Sequence, residues 1–284
     1  MGVYDTVPKR LLTCLSSDGS KAPVTNSFCA GFELEEWRCD AFADHMIDWL
    51  PDYALKEDEL DVSHCNMYVR LKEAAARVYK SKKYASRGEV GEITLHAICR
   101  DYFGTIPIAP RVFYLTSSNE VVKSFDMVHV RYPDVGIPEL WLGEAKFYVD
   151  STQAVNAAIA SIETHIDRGF LNNEKLILGP QISKSTPRYN EVRELLSTQT
   201  SLDELFRTAV FPVCIACNSD GALAAKSFTS VYQASVVSEL NALASRIEDS
   251  GLCQKLRIVL IYVPLKSKAQ LATAFDLRLK GLSP

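Results

Sequence analysis

Two apolar runs near the C-terminal end set the tightest limit on the fold. Residues 209 to 217 read Ala-Val-Phe-Pro-Val-Cys-Ile-Ala-Cys, and residues 256 to 263 read Leu-Arg-Ile-Val-Leu-Ile-Tyr-Val. Neither run alternates apolar with polar side chains, so a strand at either place is covered on both faces. Strands of that kind belong to parallel or mixed sheets with helices on each side. Pro212 interrupts the first run at its edge, because proline cannot donate to a ladder.

Helical spacing fills the intervals. Apolar positions recur at helical period over 34–50, 63–82, 86–103, 151–168, 188–197, 201–208 and 227–249, with a last helix from about 268 to 279. Pro51 stops the first of these, and the acidic stretch 52–61 reads as a solvated connector. In the second, Met67, Val69, Leu71, Ala74, Ala75 and Val78 are the expected buried positions; its many Lys and Arg residues read as a solvated face. Ser86 and Glu89 have the spacing of a capping box, and Gly104 ends that helix. Ser151 or Thr152 caps the next one. Residues 173–179 read as a short strand or a helix end, and residues 1–31 as loops with one short strand. Three further strand candidates, 111–117, 124–132 and 140–148, are joined by short Ser-, Asn-, Pro- and Gly-bearing links, which predicts an antiparallel meander. The expected fold is α/β: a mixed central sheet flanked by helices. A mostly helical region over 1–83 packs on a main domain over 84–284.

Composition narrows the function classes. A chain of 284 residues with 47% apolar and 23% charged residues has the make-up of a soluble globular protein. Its net charge of −4 argues against coating nucleic acid by bulk electrostatics, though not against a local basic groove. No apolar run approaches the ~20 residues of a membrane span. The opening Met-Gly-Val-Tyr-Asp-Thr lacks a secretion pattern, so a cytoplasmic chain is expected. The eight cysteines are scattered, several inside apolar patterns, and read as reduced, mostly buried thiols. Cys214 and Cys217 form a single CxxC within a strand, where residues three apart face opposite sides; buried thiols fit better than zinc ligands. No Gly-rich phosphate loop is present, so the chain is not itself an ATPase.

The meander carries charges where a plain core strand has none: Asp126 in one run, Glu144 and Lys146 in the next. Period two puts Glu144 and Lys146 on one face of their strand. A carboxylate beside an ammonium on an apolar strand costs desolvation unless something compensates it, and a divalent metal with a scissile phosphate would do so. Metal-assisted phosphodiester cleavage needs carboxylates to hold the ion and a cation near the developing charge. Asp126, Glu144 and Lys146 supply these, with the carbonyl of residue 145 as a further oxygen. Glu89 and Glu92 stand three apart on the preceding helix.

Gly91-Glu92, Phe125-Asp126 and Gly143-Glu144-Ala145-Lys146, in that order, resemble the PD-(D/E)XK nuclease core. The helix–three strands–helix–strand order that core implies matches the pattern over 86–217. The wider text, residues 87–93, 123–126 and 140–146, resembles the HamA family, the nuclease subunits of Hachiman anti-phage defence systems. The resemblance implies a restriction-endonuclease-like fold, DNA cleavage dependent on Mg²⁺ or Mn²⁺, and a complex with a HamB-like helicase that restrains the nuclease. It implies catalytic roles for Glu92, Asp126, Glu144 and Lys146. Asp126, Glu144 and Glu92 would hold the metal, and Lys146 would position or activate the water. One departure is Phe125, which stands where the family pattern has proline.

Plainer readings stand beside these. Glu92 fits a solvated helix residue and Glu89 a capping group. Asp126 fits a turn-closing residue or a partner of Lys123 or Arg131. Glu144 and Lys146 fit a cross-strand ion pair on an exposed sheet face. His96, four residues after Glu92, fits a packing role, and His129 faces away from Asp126. His165 and Gln153 are lesser candidates on the following helix, where Ala157 replaces the tyrosine that often accompanies such a glutamine. The alternatives in function are a catalytically inactive nuclease-like scaffold and an RNA-cleaving nuclease.

Overall fold

The computed structural model describes residues 3–79, 88–108 and 125–282. The two apolar runs become β8 (Ala209–Asn218) and β9 (Arg257–Leu265), buried along their lengths except at Asn218 and Arg257. They lie side by side and parallel in the middle of a mixed seven-stranded sheet. On one flank, β9 pairs in parallel with β2 (Val24–Cys29), which pairs antiparallel with β1 (Thr13–Asp18). On the other flank, β8 pairs in parallel with β7 (Glu139–Tyr148). Antiparallel β6 (Met127–Arg131) follows, then the two-residue β5 (Ile106–Pro107). A separate hairpin, β3 (Phe32–Glu33) and β4 (Glu36–Trp37), stands outside this sheet.

Helices cover both faces, each with its own core. One layer holds α1 (Cys39–Asp48), α2 (Leu50–Ala54), α3 (Met67–Tyr79), α4 (Glu89–Phe103) and the C-terminal α11 (Lys268–Leu282). The other holds α5 (Ser151–His165), α6 (Arg168–Leu178), α7 (Tyr189–Leu195), α8 (Leu202–Thr208), α9 (Asp220–Ala224) and α10 (Ser230–Asp249). Cys214 joins the first core and Cys217 the second, both as free thiols, so the CxxC pair straddles the sheet. Among the described residues no helix is long and apolar enough to cross a membrane.

Several local expectations need correction. The N-terminal stretch holds two strands rather than one, and both extend the main sheet. Thr25, Asn26 and Ser27 are buried in β2, and that polar text hid a core strand. Pro51 does not stop a long helix: α1 ends at Asp48, and Pro51 sits in the first turn of α2, where its missing N–H is no loss. Pro212 lies inside an interior strand. The β7–β8 register runs from Trp141↔Val210 to Glu144↔Val213 with the rungs at 211 and 212 absent, so a single gap accommodates the proline. Met67 and Val69 are exposed on α3, whose buried face is Ala74, Ala75 and Val78. Residues 173–179 begin inside α6, and Asp150, not Ser151 or Thr152, caps α5 by accepting from Gln153 N–H. Gly88 is the N-cap of α4 and Glu89 is buried in its first turn. Ser86, the strand candidate 111–117 and the boundary at residues 83 and 84 lie outside the described residues.

Candidate active site

Strand β7 alternates along its length. Trp141 and Phe147 enter the α4-side core, while Leu140 and Leu142 enter the α5-side core. By that period Glu144 and Lys146 face α5, and Gly143 and Ala145 face α4. Glu144 is 4% exposed. Lys146 Nζ donates to Glu144 Oε1 at 2.5 Å and to Ser161 Oγ at 2.9 Å. His165 Nδ1 stands 3.4 Å from Glu144 Oε2, and its ring stacks on Phe170 with Phe125 at its edge.

Geometry explains why α5 reaches both charges. The helix returns antiparallel to β7. Two strand residues advance about 6.6 Å and four helix residues about 6 Å. The pair Ser161 and His165 therefore matches the pair Lys146 and Glu144. Gln153 lies two turns away on the exposed surface, with its backbone N–H bound to Asp150. Ser161 and His165 are thus the site neighbours on this helix. The sequence signal for them was the same four-residue spacing, read from the far end of α5.

Asp126 directly precedes β6. Its N–H donates to Gly143 O at 2.9 Å, and its Oδ2 accepts from Ala145 N–H at 2.8 Å. The carboxylate stands where the next residue of a longer β6 would pair. A strand residue points its N–H and C=O toward the same edge, so the Ala145 carbonyl faces the side that Asp126 occupies. Arg131, the partner considered for Asp126, pairs with Glu139 instead. Lys123 lies outside the described residues.

Asp126 therefore bonds the backbone of the residue that lies between Glu144 and Lys146 on β7. The exposed-face reading of the Glu144–Lys146 pair does not hold, because both charges are covered by α5. Glu92 belongs to the α4 layer, on the other face of the sheet. It is buried, with Tyr53 Oη donating to its Oε2 at 2.7 Å. The first turns of α4 cross β7 closely: a Cβ on Gly91 would lie 3.1 Å from Phe147 Cβ and 3.6 Å from Ala145 Cβ. Among the described residues no three His, Cys, Asp or Glu side chains are gathered as ready ligands of one ion.

The glycine before Glu144 is equally constrained. A Cβ on Gly143 would lie 2.8 Å from Leu95 Cδ2 and 3.0 Å from Met127 Cβ. Gly143→Val is expected to destabilise the fold by about 1–3 kcal/mol through overpacking, measured by urea unfolding.

A second polar assembly lies on α4, which is buried from Glu89 to Arg100. Polar groups in such a place must be bonded. His96 Nε2 lies 2.7 Å from Asp52 Oδ1, His96 Nδ1 lies 3.1 Å from His129 Nε2, and His129 Nδ1 lies 2.7 Å from Thr105 Oγ1. A carboxylate only accepts, which assigns one proton. His96 Nε2–H donates to Asp52; with both imidazoles neutral, as their burial favours, His129 donates to His96 and Thr105 to His129. Arg100 donates to both Asp52 oxygens and to the carbonyls of Thr105 and Tyr4. Burial pushes the His96 imidazole down, against the pull of Asp52, and pushes His129 well down, with His96 and Arg100 adding to it. Burial works to raise the Asp52 carboxyl, but His96 and Arg100 overcome it and hold it below the usual carboxylate range. The supposed solvated connector thus supplies the acid of a buried network, and its neighbour Tyr53 reaches Glu92.

The fold and this strand define an α/β protein whose mixed central sheet carries a buried carboxylate–ammonium pair. The HamA family model matches residues 7–279. The chain belongs to the HamA family of anti-phage defence proteins. Over 125 residues it is 26% identical to anti-bacteriophage protein A of Escherichia coli (strain K12), a match covering 44% of this chain and 23% of that protein's length. No solved structure matches the chain.

Proposed function

We propose that the chain is a metal-dependent deoxyribonuclease with a PD-(D/E)XK core, the effector of an anti-phage system in which a helicase partner holds it in check. The observation that carries this reading is the covered Glu144–Lys146 pair with Asp126 bound across Ala145. A buried ion pair gives a fold little net stability, so its presence on a core strand calls for another reason.

The donor set suits a hard cation. Two carboxylates and a backbone carbonyl match the oxygen preference of Mg²⁺ or Mn²⁺, and Mg²⁺ needs only one or two carboxylates when water and phosphate oxygens complete its shell. Among the described residues Glu144 Oε2 is buried and receives no hydrogen bond, and His165 Nδ1 stands 3.4 Å from it. Asp126 and Glu144 would hold the ion. When bound, the metal supplies Lewis-acid polarisation of the phosphate and a more acidic water. Lys146 holds its proton and charge beside the scissile phosphate, offsetting the negative charge that develops there. Ser161 fixes the ammonium's direction. The HamA family match and the name of the E. coli relative support the defence role.

Plasmid and linear DNA, incubated with the chain in Mg²⁺ or EDTA and with or without the helicase, test the reading. Metal-dependent loss of DNA that disappears in EDTA and in Glu144→Gln is expected. Intact DNA under every condition would favour a non-catalytic binding subunit, and loss of RNA alone would move the substrate.

A further inference from the structure

The starts of β2, β7, β8 and β9 border a cleft of about 420 Å³, with Phe103, the last residue of α4, on its wall. A volume of that order, within the roughly 300–1,000 Å³ of small-molecule sites, takes a compact organic ligand. The lining is mostly apolar. Trp141 and Ile258 are buried, and the Phe103 ring lies 5.1 Å from that of Trp141. Interiors close-pack, so apolar walls held this far apart forgo contacts that a ligand would supply.

The charges of the cleft gather at one point. Glu139 Oε1 accepts from Arg257 Nη2 at 2.6 Å, while its Oε2 accepts from Trp141 Nε1 at 3.3 Å and lies 3.5 Å from Arg131 Nη1. The Glu139 side chain is 13% exposed, and those of Arg131 and Arg257 are 44% and 52% exposed. Among the described residues these three are the only charged groups lining the cleft. Two guanidiniums share one carboxylate, so one positive charge is left over at its mouth. Each guanidinium commits one nitrogen to Glu139 and keeps its other N–H donors, whose planar fork suits the paired oxygens of an acid group. Beside apolar walls that charge is less screened than in open water. Glu139 opens β7, and the strand then runs about 16 Å to Glu144, so this cleft is separate from the charged pair on the same strand.

We infer that this cleft binds a small organic monoanion, an acid group carried on an apolar body. The acid meets Arg131 and Arg257, and the body lies against Phe103, Trp141 and Ile258. Binding there is independent of the nuclease reading. Isothermal titration of the full-length chain with 1-naphthoate and with its neutral amide, 1-naphthamide, tests it. Naphthoate is expected to bind one-to-one and roughly tenfold more tightly than the amide, the gain of one charge-assisted hydrogen bond. Arg257→Gln, at a half-exposed side chain, is expected to melt within a few degrees of the parent and to lower naphthoate affinity to that of the amide, leaving amide affinity unchanged. Val24→Phe adds bulk inside the cleft and is expected to weaken both ligands. No saturable binding up to millimolar naphthoate would overturn the site. Equal affinity for acid and amide in the parent, or a naphthoate affinity unmoved by Arg257→Gln, would overturn the role of the arginines. Full naphthoate binding in a folded Val24→Phe would put the anion on the open rim and overturn the cleft.

Discussion

Lys146→Met is expected to lower DNA cleavage by about 10²- to 10³-fold, the usual loss when one charge-stabilising donor leaves an active site. It is also expected to destabilise the fold by about 3 kcal/mol, because Glu144 then stays buried without its ammonium partner. Glu144→Gln alone should fail in the same two ways. The informative variant is the double, Glu144→Gln/Lys146→Met. With both charges gone and the volume kept, stability should return to within about 1 kcal/mol of the parent. Activity should not return. Urea melts beside plasmid cleavage separate the two effects. If the double variant remained as unstable as the singles, the pair would be a structural element and its place in the chemistry would lose its main support.

Acid should weaken the protein early. His45, His96 and His129 are buried, and burial lowers all three imidazoles, His45 to about 4 against a small opposing pull from Asp101. Trp49 Nε1 donates to His45 Nε2, a bond that requires the neutral ring. A histidine whose folded pKa lies below its unfolded value binds more protons unfolded, so stability falls as pH drops below about 6.5. For His45 the loss runs from there to about pH 4, at roughly 1.4 kcal/mol per pH unit once the unfolded imidazole is protonated. His96 and His129 add in the same direction. Asp52 does not offset them in this window: its lowered carboxyl favours the fold at all pH values above its ordinary titration near 3.9. The groups facing the two histidines are Asp52, Arg100 and Thr105 with the rings of Trp49 and Tyr53, and the Arg100 charge opposes a second proton on His129. Calorimetric melting from pH 8 to 4.5 should show a falling midpoint that begins near pH 6.5, with a shallower fall in His45→Gln. A flat profile down to pH 5 would mean that the imidazoles are not held neutral.

The parts of the fold that the sequence made legible were those with a clean period. The doubly apolar β8 and β9, the 3.6-residue pattern of α4, α5 and α10, and the alternation that puts Glu144 beside Lys146 all needed only local rules. What escaped depended on contacts far along the chain. Thr25, Asn26 and Ser27 look like loop residues, and they become a strand only because β9 and β1 flank them. Asp52 sits in an acidic stretch that resembles solvated surface, and its partners His96 and Arg100 are 44 and 48 residues away. Ser161 carries no motif, and its importance appears only when the rises of a helix and a strand are laid side by side. At the site, the charges on β7 were readable, but which face each would meet was not.

The adjacency of Asp52 and Tyr53 has one more consequence. Two neighbouring residues of a five-residue helix reach two different places on α4, one binding His96 and Arg100, the other Glu92. A fragment beginning near residue 84 would keep the whole charged strand yet leave the carboxylate, imidazole and guanidinium of α4 without these partners. The early part of the chain is therefore not an exchangeable accessory. Another N-terminal segment grafted onto the later part would need an acid and a phenol in consecutive positions to restore these bonds.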